Sequence, residues 1–79
     1  VHVDEVEWVR ADRNYVRLRV GDREHLVRTP IGALERRLDP RHFARVHRST
    51  IVRLARVREL RTLESGEYRL VMADGTQLE

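Results

Sequence analysis

A mostly β domain with one short helix is what this sequence predicts, and three observations carry the prediction. Tyr15-Val16-Arg17-Leu18-Arg19-Val20 alternates apolar and polar side chains, the period of a strand with one face on a core. Asp74-Gly75 is a strong short hairpin signal, since a type I′ turn needs positive φ at both central residues. Helical spacing occurs in one place, Ile31–Leu38, between Thr29-Pro30 and Asp39-Pro40.

Taken in order, Glu5–Arg10 reads as a strand, because Val3, Val6 and Val9 are β-branched and Trp8 suits a pleated surface. Ala11-Asp12-Arg13-Asn14 is a tight turn, as Asp and Asn bond locally to the backbone. In Tyr15–Val20 the inward set is Val16, Leu18 and Val20, and the outward set Tyr15, Arg17 and Arg19. Gly21-Asp22 closes that strand and Arg23–Thr29 returns antiparallel, giving a three-strand meander. Thr29 is then expected to cap a helix whose first residue is Pro30, where a missing N–H costs nothing. Ile31, Leu34 and Leu38 share one helix face, Gly32 weakens it, and Asp39-Pro40 stops it. Arg56–Leu63 is another strand, Ser65-Gly66 a turn, and Tyr68–Met72 a strand with Tyr68, Leu70 and Met72 on one side. After Asp74-Gly75, Thr76–Glu79 begins a return strand.

At 79 residues there is room for a single domain with a modest core. Such a chain buries only about 60% of its unfolded surface, so its stability margin is thin. Cysteine is absent, which removes disulfides and thiolate metal sites and fits a reducing compartment. No apolar run approaches the roughly 18 residues of a membrane span, and the N-terminus lacks a signal-peptide pattern, so the expected location is cytoplasmic. All sixteen basic residues are Arg, a usage that codon bias in a GC-rich genome accounts for. Their placement says more. Residues 41–61 hold seven Arg and one acid (Glu59), or +6, and the remainder holds nine Arg and twelve acids, or −3, giving the net +3. That split suggests a side facing a polyanion, with a solvated Arg face as the plainer reading.

No catalytic or metal constellation stands out, and no cofactor is expected. His42 and His47 are five apart without a joining acidic cluster, Ser49 is only a sequence neighbour of His47, and Gly-rich phosphate loops are absent. The stretch Phe43–Val52 is different. Apolar Phe43, Val46, Ile51 and Val52 bracket Arg45, His47, Arg48 and Ser49, so a pinned segment can present fixed donors. Arg48 is expected at the surface or paired, because a lone buried Arg is rare, and Arg is the commonest specific reader of guanine. His47 reads equally as a core histidine bonded to a carbonyl, and Ser49 as a phosphate donor or a turn cap.

The chain resembles the LytTR-type DNA-binding domain of bacterial response regulators over nearly its whole length. The matching pieces are Val6–Trp8, Asn14-Tyr15-Val16, Ile31–Leu38, Phe43–Ser49 as F-x-R-x-H-R-S with Ile51-Val52 following, and Asp74-Gly75. The resemblance implies an elongated antiparallel β fold that reads double-stranded DNA through loops between strands. It implies contact loops at Arg13-Asn14-Tyr15 and His47-Arg48-Ser49. The +6 segment centred on the second loop adds the expectation that Arg45 and Arg53 sit on phosphates, while Arg48 and the Arg13-Asn14 loop reach base edges. Arg53 stands where Asn is common in the family, and a Ser-Arg element that follows the Asp-Gly turn in relatives has no counterpart. Both ends are therefore expected to be trimmed, with a receiver or other sensor domain upstream. Paired repeat sites, occupied by a homodimer, are the expected target. An RNA-binding module is the alternative, disfavoured by having only Trp8, Tyr15, Phe43 and Tyr68 for base stacking. A protein-interaction module using a sheet edge is another.

Overall fold

Val9 and Ile51 face one side of a sheet while Trp8 and Val52 face the other, and the architecture follows from that division. A computed structural model describes residues 5–78, so the expectations on Val3 and Glu79 lie outside the described residues. Among these residues, β1 (Val6–Asp12), β2 (Tyr15–Val20) and β3 (Arg23–Val27) form the expected meander. A hairpin of β4 (Phe43–His47) and β5 (Thr50–Arg53) docks along β1. The result is a five-stranded antiparallel sheet in the order β3-β2-β1-β5-β4. A second sheet holds β6 (Val57–Thr62), β7 (Tyr68–Met72) and β8 (Gln77–Leu78) in sequence order. The domain is moderately elongated, 35 × 23 × 23 Å.

In a regular strand Val6 and Val9 would point to opposite faces. A β-bulge between Val6 and Trp8 inserts one extra residue and turns both valines to the same side. There they join Val16, Leu18, Phe43 and Ile51 beneath Leu34 and Leu38. On the other face, Trp8 and Val52 pack with Met72 and Leu78 of the second sheet, edged by Val57 and Leu70. Ion pairs stitch the two sheets at the rim, Arg19 to Asp74 at 3.6 Å and Arg56 to Glu7 at 3.4 Å.

Three local expectations need correction. The helix α1 spans Ile31–Glu35, not Ile31–Leu38, and its cap is Pro30 rather than Thr29. Past Glu35 the chain tightens into i→i+3 bonds, Arg37 N–H to the Leu34 carbonyl and Leu38 N–H to that of Glu35. Leu38 is still buried, so apolar periodicity was satisfied by a turn as well as by a helix. The first strand runs on to Asp12, leaving Arg13-Asn14 alone as the turn. At Asp74-Gly75 only Gly75 has positive φ (90°), so the turn is not type I′. Gly75 N–H instead bonds the Met72 carbonyl, and Met72 N–H the Thr76 carbonyl, closing a longer connection. Burial pushes the Asp74 carboxyl up, but hydrogen bonds from Thr76, the Arg19 charge and the nearby Trp8 indole outweigh it, and the group lies below the ordinary carboxylate range.

Candidate nucleic-acid interface

Strand direction alone brings the two candidate loops together. β1 runs into the Arg13-Asn14 turn, and β5, antiparallel to β1, starts from the Arg48-Ser49 turn, so both turns hang from one end of the sheet. The joint is a hydrogen bond of 2.8 Å from Ala11 N–H to the Ser49 carbonyl. With strands about 4.8 Å apart, the turn centres are separated by about 10 Å. That is less than the width of a B-DNA major groove, about 12 Å.

In the first turn, Asp12 and Tyr15 form the closing pair. Arg13 has φ of 59°, the one positive value among the described non-glycine residues. An L-residue there costs about 1–2 kcal/mol, and Gly would escape that cost. Arg13 and Asn14 are exposed and Tyr15 is 45% exposed. The Arg13 guanidinium makes no hydrogen bond or ion pair among the described residues. Keeping Arg where Gly fits better is a sign that its side chain is used outward. Arg13→Gly is expected to raise the melting temperature by a few degrees, since relieved strain exceeds glycine's extra unfolded-state freedom of about 0.5–1 kcal/mol. Affinity for duplex DNA is expected to fall in the same variant. A lower melting temperature would show that this backbone stores no strain.

The second turn is built differently. Two-residue hairpin turns are normally of the primed types, which need positive φ, yet neither Arg48 nor Ser49 has it. Side chains hold the turn instead. Ser49 N–H donates to His47 Nδ1 at 3.2 Å, and the Ser49 hydroxyl lies 2.8 Å from the same nitrogen. Because a backbone N–H can only donate, Nδ1 is an acceptor, and the neutral ring carries its hydrogen on Nε2. Arg45 supplies a further clip, donating Nη2–H to the Arg48 carbonyl and Nη1–H to Glu35 of α1 at 3.1 Å. A bulge between Arg45 and His47 sets Val46 aside, 46% exposed, and bends the strand into the turn. Arg48 itself is exposed, and its guanidinium has no partner among the described residues.

The basic segment 41–61 is thus not one face in space. Arg41 lies at the opposite end from the turns and grips Asp39 at 2.9 Å, holding that carboxyl down at about 2. Arg53, also at the far end, is half-buried, donates Nε–H to the Val6 carbonyl at 2.7 Å and stacks over Phe43 at 4.8 Å. Arg56 and Arg61 pair with Glu7 and Glu59. His47 is exposed, so the core-histidine reading does not hold, and Ser49 Oγ is engaged within the turn. Of the named candidates, Arg13, Asn14, Tyr15, Arg45, His47, Arg48 and Ser49 gather at one end, and Arg53 does not. Sequence reasoning passed over Arg28, which joins the same end because β3 finishes beside the start of β2.

The chain is similar to several known proteins. Over 70 residues the chain is 46% identical to the CO-responsive transcriptional regulator RcoM of Rhodospirillum rubrum, a match covering 89% of this chain and 29% of that one. It is 24% identical over 78 residues to the sensory transduction protein LytT of Bacillus subtilis, covering 99% of this chain and 32% of that one. It thus spans about a third of either relative. The fold superposes with a TM-score of 0.89 on the LytTr DNA-binding domain of a methyl-accepting/DNA response regulator of Bacillus cereus, at 19% identity, covering 99% of this chain and 72% of that one. The family model of the LytTr DNA-binding domain matches residues 1–79. The chain belongs to the LytTR family of DNA-binding domains.

Proposed function

We propose that this domain binds double-stranded DNA sequence-specifically through its two adjacent turns, as the output domain of a bacterial transcriptional regulator of two-component type. The observation that carries this reading is the pairing of Arg13 and Arg48, both exposed and unpartnered among the described residues, on turns joined by the Ala11–Ser49 bond. Guanidinium groups in that state offer bidentate donors to base edges and phosphates. The names of the relatives, a transcriptional regulator and a sensory transduction protein, support the regulatory setting.

Roles divide by environment. Arg48 reads a base edge, and Arg13 and Asn14 reach the duplex from the neighbouring turn, with Tyr15 flanking them. His47 and Ser49 shape the second turn, and Arg45 orients it from α1, leaving fewer of its donors for a phosphate. Arg53 anchors the far end of β5 to β1 and contributes least to the contact. Side-by-side copies on paired repeats would place a homodimer on one face of the duplex, in the cytoplasm.

The test is selection of binding sites from random duplexes, followed by a salt titration on the winning site. With about four phosphates neutralised, affinity is expected to fall roughly 100-fold between about 50 and 200 mM salt. Single-stranded RNA of matched sequence is expected to compete poorly. A flat titration, or better competition by RNA than by duplex DNA, would overturn the reading.

A further inference from the structure

Beyond the Val16–Val27 pair, the chain leaves β3 and doubles back, with Thr29 N–H bonded to the Val27 carbonyl at 3.1 Å. The link therefore stands beside the Arg13-Asn14 turn, and an open cleft of about 500 Å³ lies between them. Tyr15, Pro30 and Ile31 give the cleft an apolar wall, while Arg13, Arg28 and Thr29 supply polar groups. Arg28 is exposed and, like Arg13, has no hydrogen bond or ion pair among the described residues. Two guanidinium groups thus line one cleft with no acid among its lining residues. The chemistry that answers such a site is an anion carried on a partly apolar body. A sugar–phosphate backbone fits that description, and the cleft is continuous with the first contact turn.

We propose that this cleft seats the backbone of the bound duplex, extending the interface past the two turns. Arg28 and Thr29 hold a phosphate, and Tyr15 and Pro30 pack against the adjoining deoxyribose. This rests on the DNA-binding reading above and adds a third point of support, supplied by the strand-to-helix link. Because phosphate contacts carry no sequence information, Arg28 sets register and affinity rather than base choice.

The test compares Arg28→Ala, Arg28→Lys and Arg23→Ala in the full chain, on the selected duplex and on a scrambled one. Arg23 starts the same strand at the opposite end, is exposed and also lacks a partner among the described residues, so it controls for net charge. Arg28→Ala is expected to weaken both duplexes to a similar degree and to lower the slope of log affinity against log salt by about 0.9. Arg28→Lys is expected to restore the slope, and Arg23→Ala to leave both quantities unchanged. An unchanged slope in Arg28→Ala, or the same change in Arg23→Ala, overturns the cleft. If Arg28→Ala is silent while Arg48→Ala still loses the selected site, only the cleft fails. If both are silent while the parent still binds the selected duplex, the two turns are not the contact surface and the reading of the interface above fails.

Discussion

Arg48→Ala is expected to lower affinity for the selected duplex by about 5- to 150-fold, equivalent to about 1–3 kcal/mol, and to relax the preference at one base position. The unfolding free energy should stay within about 0.5 kcal/mol of the parent, because an exposed side chain without a partner among the described residues contributes little to folding. The turn survives the change, since its supports are His47, Ser49 and the Arg48 carbonyl, none of which the substitution removes. Arg48→Lys keeps the charge but loses the planar fork, so it should recover affinity for any duplex more than it recovers base preference. Parallel binding curves on the selected and scrambled duplexes separate these effects. Loss of the folded state in Arg48→Ala, or an unaltered base preference, would remove Arg48 as the reader.

Trp8→Ala is expected to destabilise the fold by about 3–5 kcal/mol, the range for deleting a large buried aromatic. Trp8 is 4% exposed and is the main five-stranded-sheet residue facing Met72 and Leu78 of the second sheet, with Val52. A loss of that size consumes much of a typical margin of about 5–15 kcal/mol, and more of it in a small domain. Trp8→Phe should cost markedly less. The indole Nε1–H is buried without a partner at hydrogen-bond geometry among the described residues, so its removal forfeits only its weak pull on the nearby Asp74 carboxylate. Urea denaturation followed by circular dichroism measures both variants, since the chain's one tryptophan is the residue being replaced. A Trp8→Ala loss below about 1 kcal/mol would mean that the sheets do not depend on each other through this side chain.

How legible each part was depended on how far its causes reach along the chain. Tyr15–Val20 was read with its correct ends, because alternation and the Gly21-Asp22 turn are local signals. The end of α1 was misread because Leu38 is buried whether the chain there is helical or turned, and apolar spacing does not distinguish the two. The Asp74-Gly75 position was right and the turn type was not, since backbone closure through Met72 and Thr76 decides it. At the site, the F-x-R-x-H-R-S stretch located the turn, but the roles within it depend on distant partners. Arg45 is bound to Glu35, and Arg53 to Val6, 47 residues away. A linear count of charge treated these like Arg48, which has no such partner among the described residues. Arg28 left no mark in that count, as a single charge in a linker.

The seam between β1 and β5 also governs when the domain becomes able to bind. The meander and the β4–β5 hairpin are each made of contacts close in sequence, whereas the seam pairs Trp8 with Val52 and Arg10 with Thr50. Closing so long an intervening loop is entropically slow, and non-local strand pairing sets the pace of β folding. Each turn can therefore exist in a half-folded chain, but their 10 Å spacing, about two strand separations, cannot. A nascent or partly unfolded chain carries the right arginines without the distance between them. For the contact proposed above, site discrimination is in this sense a late product of folding, acquired in the step that zips the two hairpins together.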